Sequence, residues 1–142
     1  MSQKGKLTFV GEVESSGEIS RVRIFPEFCE GLQDLDGFSH VIVLYWCHLR
    51  DTPDDRRVLK VTPRRHQHHS SVGVFASRSP TRPNPIALCA TQLVKIHACI
   101  LHVQGLDALE GSPIVDIKPY IPRADSIPTA QTPEWTSRGP PT

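Results

Sequence analysis

Thirteen of the 142 residues are proline, about twice the ordinary share of roughly 5%. This excess limits the folds open to the chain more than any other feature. Proline lacks a backbone donor and clashes with the preceding helical turn, so it breaks helix interiors and is expelled from central strands. A helical bundle is therefore excluded. The prolines are expected in loops, at strand ends and on edges. Ten of the 13 fall in three stretches: Pro80, Pro83 and Pro85; Pro113, Pro119 and Pro122; and Pro128, Pro133, Pro140 and Pro141.

The segments between the prolines read as strands. Ile19–Ile24 alternates apolar and polar residues with a period of two, and His40–Trp46 is a continuous β-branched and aromatic run suited to a central strand. Leu7–Val13, Arg57–Val61, Val72–Ala76, Leu88–Ile96, Ile100–Val103 and Ile114–Lys118 complete the set, with Leu88–Ile96 also permitting a helix. Cys29–Leu35 reads as a short helix ended by Gly37. Asp36-Gly37, Thr52-Pro53-Asp54-Asp55, Gly105-Leu106-Asp107 and Glu110-Gly111-Ser112-Pro113 mark turns. Many short strands and little helix predict a mainly β fold, a small single-domain β-barrel with few short helices, because closing the sheet removes its edges. Residues 1–125 would form that domain. Residues 126–142 read as a proline-rich C-terminal extension, with Trp135 available to dock it.

Sixteen Lys and Arg against 15 Asp and Glu exclude a uniformly basic nucleic-acid coat and an acidic disordered tail. No apolar run approaches the roughly 18 residues of a membrane span. The N-terminus lacks the apolar core of a signal peptide, so the expected location is cytoplasmic, away from membranes. Cys29, Cys47, Cys89 and Cys99 form no C-x-x-C pair, and Cys47 and Cys89 lie in apolar runs. They are expected to be reduced thiols packed inside the protein.

Three segments are candidates to carry chemistry, the second and third of them also reading as a plain hairpin turn and a cationic surface loop. In Gly73–Pro85, three prolines push Ser79, Arg82 and Asn84 towards extended geometry. A stiff loop then presents Arg78, Ser79, Arg82 and Asn84, and guanidinium groups on such a frame suit carboxylate or phosphate. In Gly105–Pro113, glycines bracket a turn with available amides and the acids Asp107 and Glu110, while Asp116 stands in an otherwise apolar strand. Arg64-Arg65-His66-Gln67-His68-His69 is a cationic loop. Its histidines do not share one strand face and have no neighbouring cysteine or carboxylate, so no metal site is expected. The chain has no G-x-S-x-G, P-loop, G-x-G-x-x-G or H-E-x-x-H segment, so any catalysis would rely on a bound cofactor.

Gly73-Val74-Phe75-Ala76-Ser77-Arg78-Ser79-Pro80 followed by Arg82-Pro83-Asn84-Pro85-Ile86 closely resembles the signature of the TrmO (TsaA-like, formerly YaeB) family. Gly31-Leu32 to Gly37-Phe38-Ser39-His40, Gly105–Pro113 and Asp116–Pro122 match it in order and spacing. The resemblance implies a non-Rossmann β-barrel, a homodimer and S-adenosyl-L-methionine as cofactor. It also implies N6-methylation of threonylcarbamoyladenosine beside the anticodon of tRNA. Carried over by motif, Cys47, His48, Arg78, Leu88, Asp107, Ala108, Leu109 and Glu110 would surround the cofactor, and Arg82 and Asn84 would face the substrate. Arg64 and Arg65 would contact tRNA locally, since the chain as a whole is near neutral. No catalytic base is assigned, His48 and Asp116 being the candidates. Glu14–Glu18 has no counterpart of the Ser-Pro-Phe and Pro-Arg-Gln motifs that many members carry there. Other acceptors, or a non-catalytic anion- or RNA-binding module, are the competing readings.

Overall fold

The computed structural model describes residues 3–141. Met1, Ser2 and Thr142, the outermost residues of the expected domain and extension, lie outside them. Eight strands follow in chain order: β1 (Gly11–Ser15), β2 (Ile19–Ile24), β3 (His40–Trp46), β4 (Lys60–Val61), β5 (Val72–Gly73), β6 (Ile86–His97), β7 (Ile100–Gln104) and β8 (Pro113–Pro119). Two one-turn helices, α1 (Pro53–Arg56) and α2 (Pro122–Asp125), and several short 3-10 turns complete the described residues. The prolines sit where their chemistry demands. Pro26 opens the 3-10 segment Pro26–Leu32, Pro53 opens α1, and Pro113 and Pro119 are the first and last residues of β8.

The chain divides into two compact units. The first comprises the described residues up to Cys47 and Ile86–Pro122. It is a closed barrel in the order β1-β2-β7-β6-β3-β8, antiparallel at every pairing. Alternation sends Val13, Val22, Ile24, Val41, Val43, Tyr45, Leu101, Val103 and Ile114 into one core, each large aliphatic side chain contributing about 1.5–3 kcal/mol on burial. β6, the segment that also permitted a helix, is a strand paired along its length with β3 and β7. The cross-strand partners decide this, since Ala-Leu-Cys-Ala has no strong local preference. At the β1–β2 seam a Cβ on Gly11 would lie 2.2 Å from the Arg23 carbonyl oxygen, so only glycine allows the approach.

Leu7–Val13 becomes β1, which starts only at Gly11 and runs to Ser15, and two further strand expectations shorten. Arg57–Val61 retains only β4, because the Thr52 side chain caps α1 by accepting from the Asp55 amide at 3.0 Å. Val72–Ala76 leaves the strand after Gly73, when Val74–Ala76 turns as a 3-10 helix. The expected helix over Cys29–Leu35 is instead two 3-10 turns, Pro26–Leu32 and Leu35–Gly37.

The cysteine expectation is corrected. Cys29 and Cys99 are joined in a disulfide, with Cα atoms 5.7 Å apart across 70 residues of sequence. Cys47 and Cys89 are half-buried thiols. The pairing is tertiary in origin. Ala98 and Cys99 both take positive φ, 51° and 62°, the geometry of a two-residue hairpin turn between β6 and β7, and this brings Cys99 to the Pro26–Leu32 segment. No local spacing rule reports such a contact.

The second unit comprises His48–Pro85 and the described residues from Arg123 onward. It holds the short β4–β5 pair, α1 and the chain's C-terminal stretch. That stretch is docked. The Trp135 ring stacks on His68 with centroids 4.9 Å apart and planes 18° apart, and meets His66 edge-on at 5.5 Å. His66 Nδ1 lies 2.7 Å from the Arg138 carbonyl oxygen. Two of the three clustered histidines therefore grip the tail.

Candidate functional site

In the barrel unit the expected cofactor residues gather around the C-terminal end of β3. Leu106 and Ala108 are anchored in the core, while Asp107, Leu109 and Glu110 face outward, Leu109 being 60% exposed. The Tyr45 hydroxyl donates to the Asp107 carbonyl. Ser16 Oγ donates to the Ala108 carbonyl at 3.2 Å, and Ser112 Oγ to that of Leu109 at 2.7 Å. Gly105 and Gly111 bound the turn at φ of 89° and 86°, values that favour glycine. The carbonyls of Asp107, Ala108 and Leu109 are thus tied down, whereas the N–H groups of Ala108, Leu109 and Glu110 have no partner among the described residues. The result is a held row of backbone donors beside an apolar side chain, with two carboxylates on the same segment. Leu88 projects from the outer face of β6, 45% exposed and opposite Leu44. Cys47, directly after β3, packs half-buried against the core.

Asp116 lies on the outer face of β8 opposite Leu44. Its Oδ2 pairs with Lys118 Nζ at 3.1 Å, and its Oδ1 accepts the Ile117 amide at 2.8 Å. Both carboxylate oxygens are therefore engaged. On the opposite wall of the barrel, His102 is held below the ordinary imidazole value of 6.5 by partial burial and then by Lys95, Arg21 and His97, with Glu14 opposing.

In the second unit, His48 opens the 3-10 turn His48–Arg50. Arg78 projects into solvent from the proline loop. Arg82 and Asn84, expected to face substrate, also hold the loop itself. Arg82 Nη1 donates to the carbonyls of Ser77 and Ser79, each at 3.0 Å. Asn84 Oδ1 accepts from Arg56 Nη2 at 3.1 Å, while Arg56 Nε donates to the Pro83 carbonyl at 2.8 Å and Nη1 reaches Asp51 Oδ1 at 3.2 Å. Arg56 is the residue that sequence reasoning missed in this unit, as Tyr45 and Ser16 are in the barrel. Arg56 sits in a charged stretch that reads as a plain turn, and Tyr45 inside a strand that reads as core. Neither has a sequence signal of its second role.

One unit thus carries a barrel with a tethered donor turn, and the other an arginine-presenting proline loop. A profile of the tRNA-methyltransferase O N-terminal domain matches residues 11–126, and the chain belongs to that family. A "Probable S-adenosyl-L-methionine-binding protein" of Methanothermobacter thermautotrophicus is 47% identical over 112 residues, covering 79% of this chain and 77% of that one. A relative of the same description from Archaeoglobus fulgidus is 45% identical over 116 residues, covering 82% of this chain and 30% of its own. The crystal structure of TrmO from Pseudomonas aeruginosa superposes with a TM-score of 0.76 at 25% identity, covering 99% of this chain and 65% of that one. The chain therefore spans about three quarters of one relative, under two thirds of another's crystal structure and about a third of the longest.

Proposed function

We propose that the chain is an S-adenosyl-L-methionine-dependent methyltransferase that methylates N6 of threonylcarbamoyladenosine beside the anticodon of tRNA, working in the cytoplasm as a homodimer. The observation that carries the reading is the 105–111 turn, placed in a chain of this family: the carbonyls of Asp107, Ala108 and Leu109 are bonded inward, and the amides of Ala108, Leu109 and Glu110 have no partner among the described residues. Adenine ring nitrogens are acceptors and suit the amides of Ala108, Leu109 and Glu110. Asp107 and Glu110 suit ribose hydroxyls, and Leu88 and Leu109 offer apolar surface. The Arg78 guanidinium matches the methionine carboxylate, and Cys47 and His48 would complete the walls. The residues present thus fit the cofactor, which supplies an electrophilic sulfonium methyl. The protein contributes orientation on a rigid frame. Arg82 and Asn84, fixed by Ser77, Ser79 and Arg56, would face the acceptor.

The test is methyl transfer from labelled cofactor to total tRNA, followed by mass spectrometry of tRNA nucleosides from a strain lacking the protein. Loss of the methylated threonylcarbamoyladenosine peak supports the reading. An unchanged peak removes the tRNA role and leaves another nucleoside or a small metabolite as acceptor. Calorimetry showing no binding at millimolar cofactor leaves an anion- or RNA-binding module.

A further inference from the structure

The formal charge of +1 conceals a division. The second unit carries ten Lys and Arg against five Asp and Glu, a net +5, whereas the barrel unit carries six against ten, a net −4. Within the second unit, residues Val61–His66, the loop Phe75–Pro80 and the tail from Thr132 to Pro141 line a cleft of about 1170 Å³. That exceeds the roughly 300–1,000 Å³ of a pocket for one small ligand. Val74 is buried and pins the loop, which turns the neighbouring Phe75 outward at 82% exposure. Arg64, Arg65 and Arg78 are exposed on the lining and make no ion pair among the described residues.

The tail wall is a fitted part. Besides the Trp135 contacts with His66 and His68, Gly139 lies so close that a Cβ would stand 1.9 Å from the Arg65 carbonyl oxygen, at a φ of 73°. All of this wall lies beyond residue 126, where the match to the N-terminal-domain profile ends, although the likeness to the TrmO crystal structure covers 99% of the chain. A cationic groove with an outward aromatic ring is the arrangement that holds single-stranded nucleic acid, the ring stacking on a base and the cations tracking phosphates.

We propose that the C-terminal extension completes an RNA-strand cleft in which Phe75 stacks on an unpaired base and Arg64 and Arg65 neutralise its flanking phosphates. The proposal deepens the reading of tRNA as acceptor and rests on it. Arg78 lines the same cleft. Trp135 positions the wall and does not itself contact RNA.

The experiment measures binding of a fluorescein-labelled anticodon stem-loop RNA to the full chain without cofactor, by anisotropy across a salt series. Its outcome is therefore independent of methyl transfer. Phe75→Ala is expected to weaken binding roughly 5- to 150-fold, the range for losing one base stack. Arg64→Ala with Arg65→Ala should flatten the log–log salt slope by about 1.4, since each single-strand phosphate contact contributes about 0.7. Trp135→Ala should weaken binding while cofactor affinity by calorimetry holds. Phe75 and the two arginines are exposed, so these variants fold. Affinity within twofold of wild type in Phe75→Ala, together with an unchanged slope in the double variant, overturns the proposal. So does equal affinity for a fully paired RNA duplex or for a phosphopeptide of matched charge.

Discussion

Tyr45→Phe removes one atom and tests whether the barrel core sets the geometry of the 105–111 turn. The ring is 9% exposed and packs in the core, and phenylalanine preserves that packing. What is lost is the hydroxyl donation to the Asp107 carbonyl. A hydrogen bond of this kind has a net value of about 0.5–1.5 kcal/mol. Asp107 is exposed, so water takes over its carbonyl and the cost should sit near about 1 kcal/mol. For a chain of 142 residues that lowers the melting temperature by about 4 °C. If the turn's amides hold the cofactor, loosening them costs binding a similar amount, and Kd should rise about fivefold. Thermal melts and calorimetry on the same preparation read both quantities. A lower melting temperature with an unchanged Kd would refute the assignment of the turn to the cofactor. A melting temperature and Kd both unmoved would refute the claim that Tyr45 holds the turn at all.

Arg78→Ala should raise the cofactor Kd at least tenfold, the loss of a charge-assisted bond being about 1.5–3 kcal/mol. Arg82→Ala should chiefly lower turnover on tRNA, and the reverse pattern would exchange the two roles. Reducing the Cys29–Cys99 bridge, or Cys99→Ser, should cost about 2–4 kcal/mol in denaturant unfolding, because the bridge closes a loop of 70 residues; an unchanged midpoint would show that it constrains nothing. His102 protonates less readily folded than unfolded. As pH falls below about 6.5 the unfolded chain takes the proton first, so stability is retained above that value and declines below it. His102→Gln should flatten this part of the pH–stability curve, and an unaltered curve would remove His102 as its source.

Much of the barrel could be read directly from the residues. The period-two alternation of Ile19–Ile24 and the β-branched run His40–Trp46 reappear as β2 and β3 with the same limits, because strands with one buried face write their burial into the sequence. The prolines told where strands end for a similar local reason: a missing N–H excludes the interior of a ladder wherever it occurs. The motif segments Arg78–Asn84 and Gly105–Pro113 also stood out, since turn and loop chemistry depends on neighbours in sequence. What these residues hold onto did not. Arg56 reaching Pro83 and Asn84, Tyr45 reaching Asp107, and Cys29 meeting Cys99 are contacts across 27, 28, 62 and 70 residues, and nothing local encodes them.

The same boundary separates composition from electrostatics and the tail from its role. The sequence by itself determined a near-neutral, proline-rich, mainly β chain with an arginine loop and a glycine-bounded turn. Only the tertiary structure decided that the charge is parted into a −4 barrel and a +5 second unit, and that Trp135 is held between His66 and His68. Charge sums and strand periods are properties of order along the chain. Charge separation, disulfide pairing and the cleft walls depend on which distant segments share space, and closure of the barrel and docking of the tail settle that.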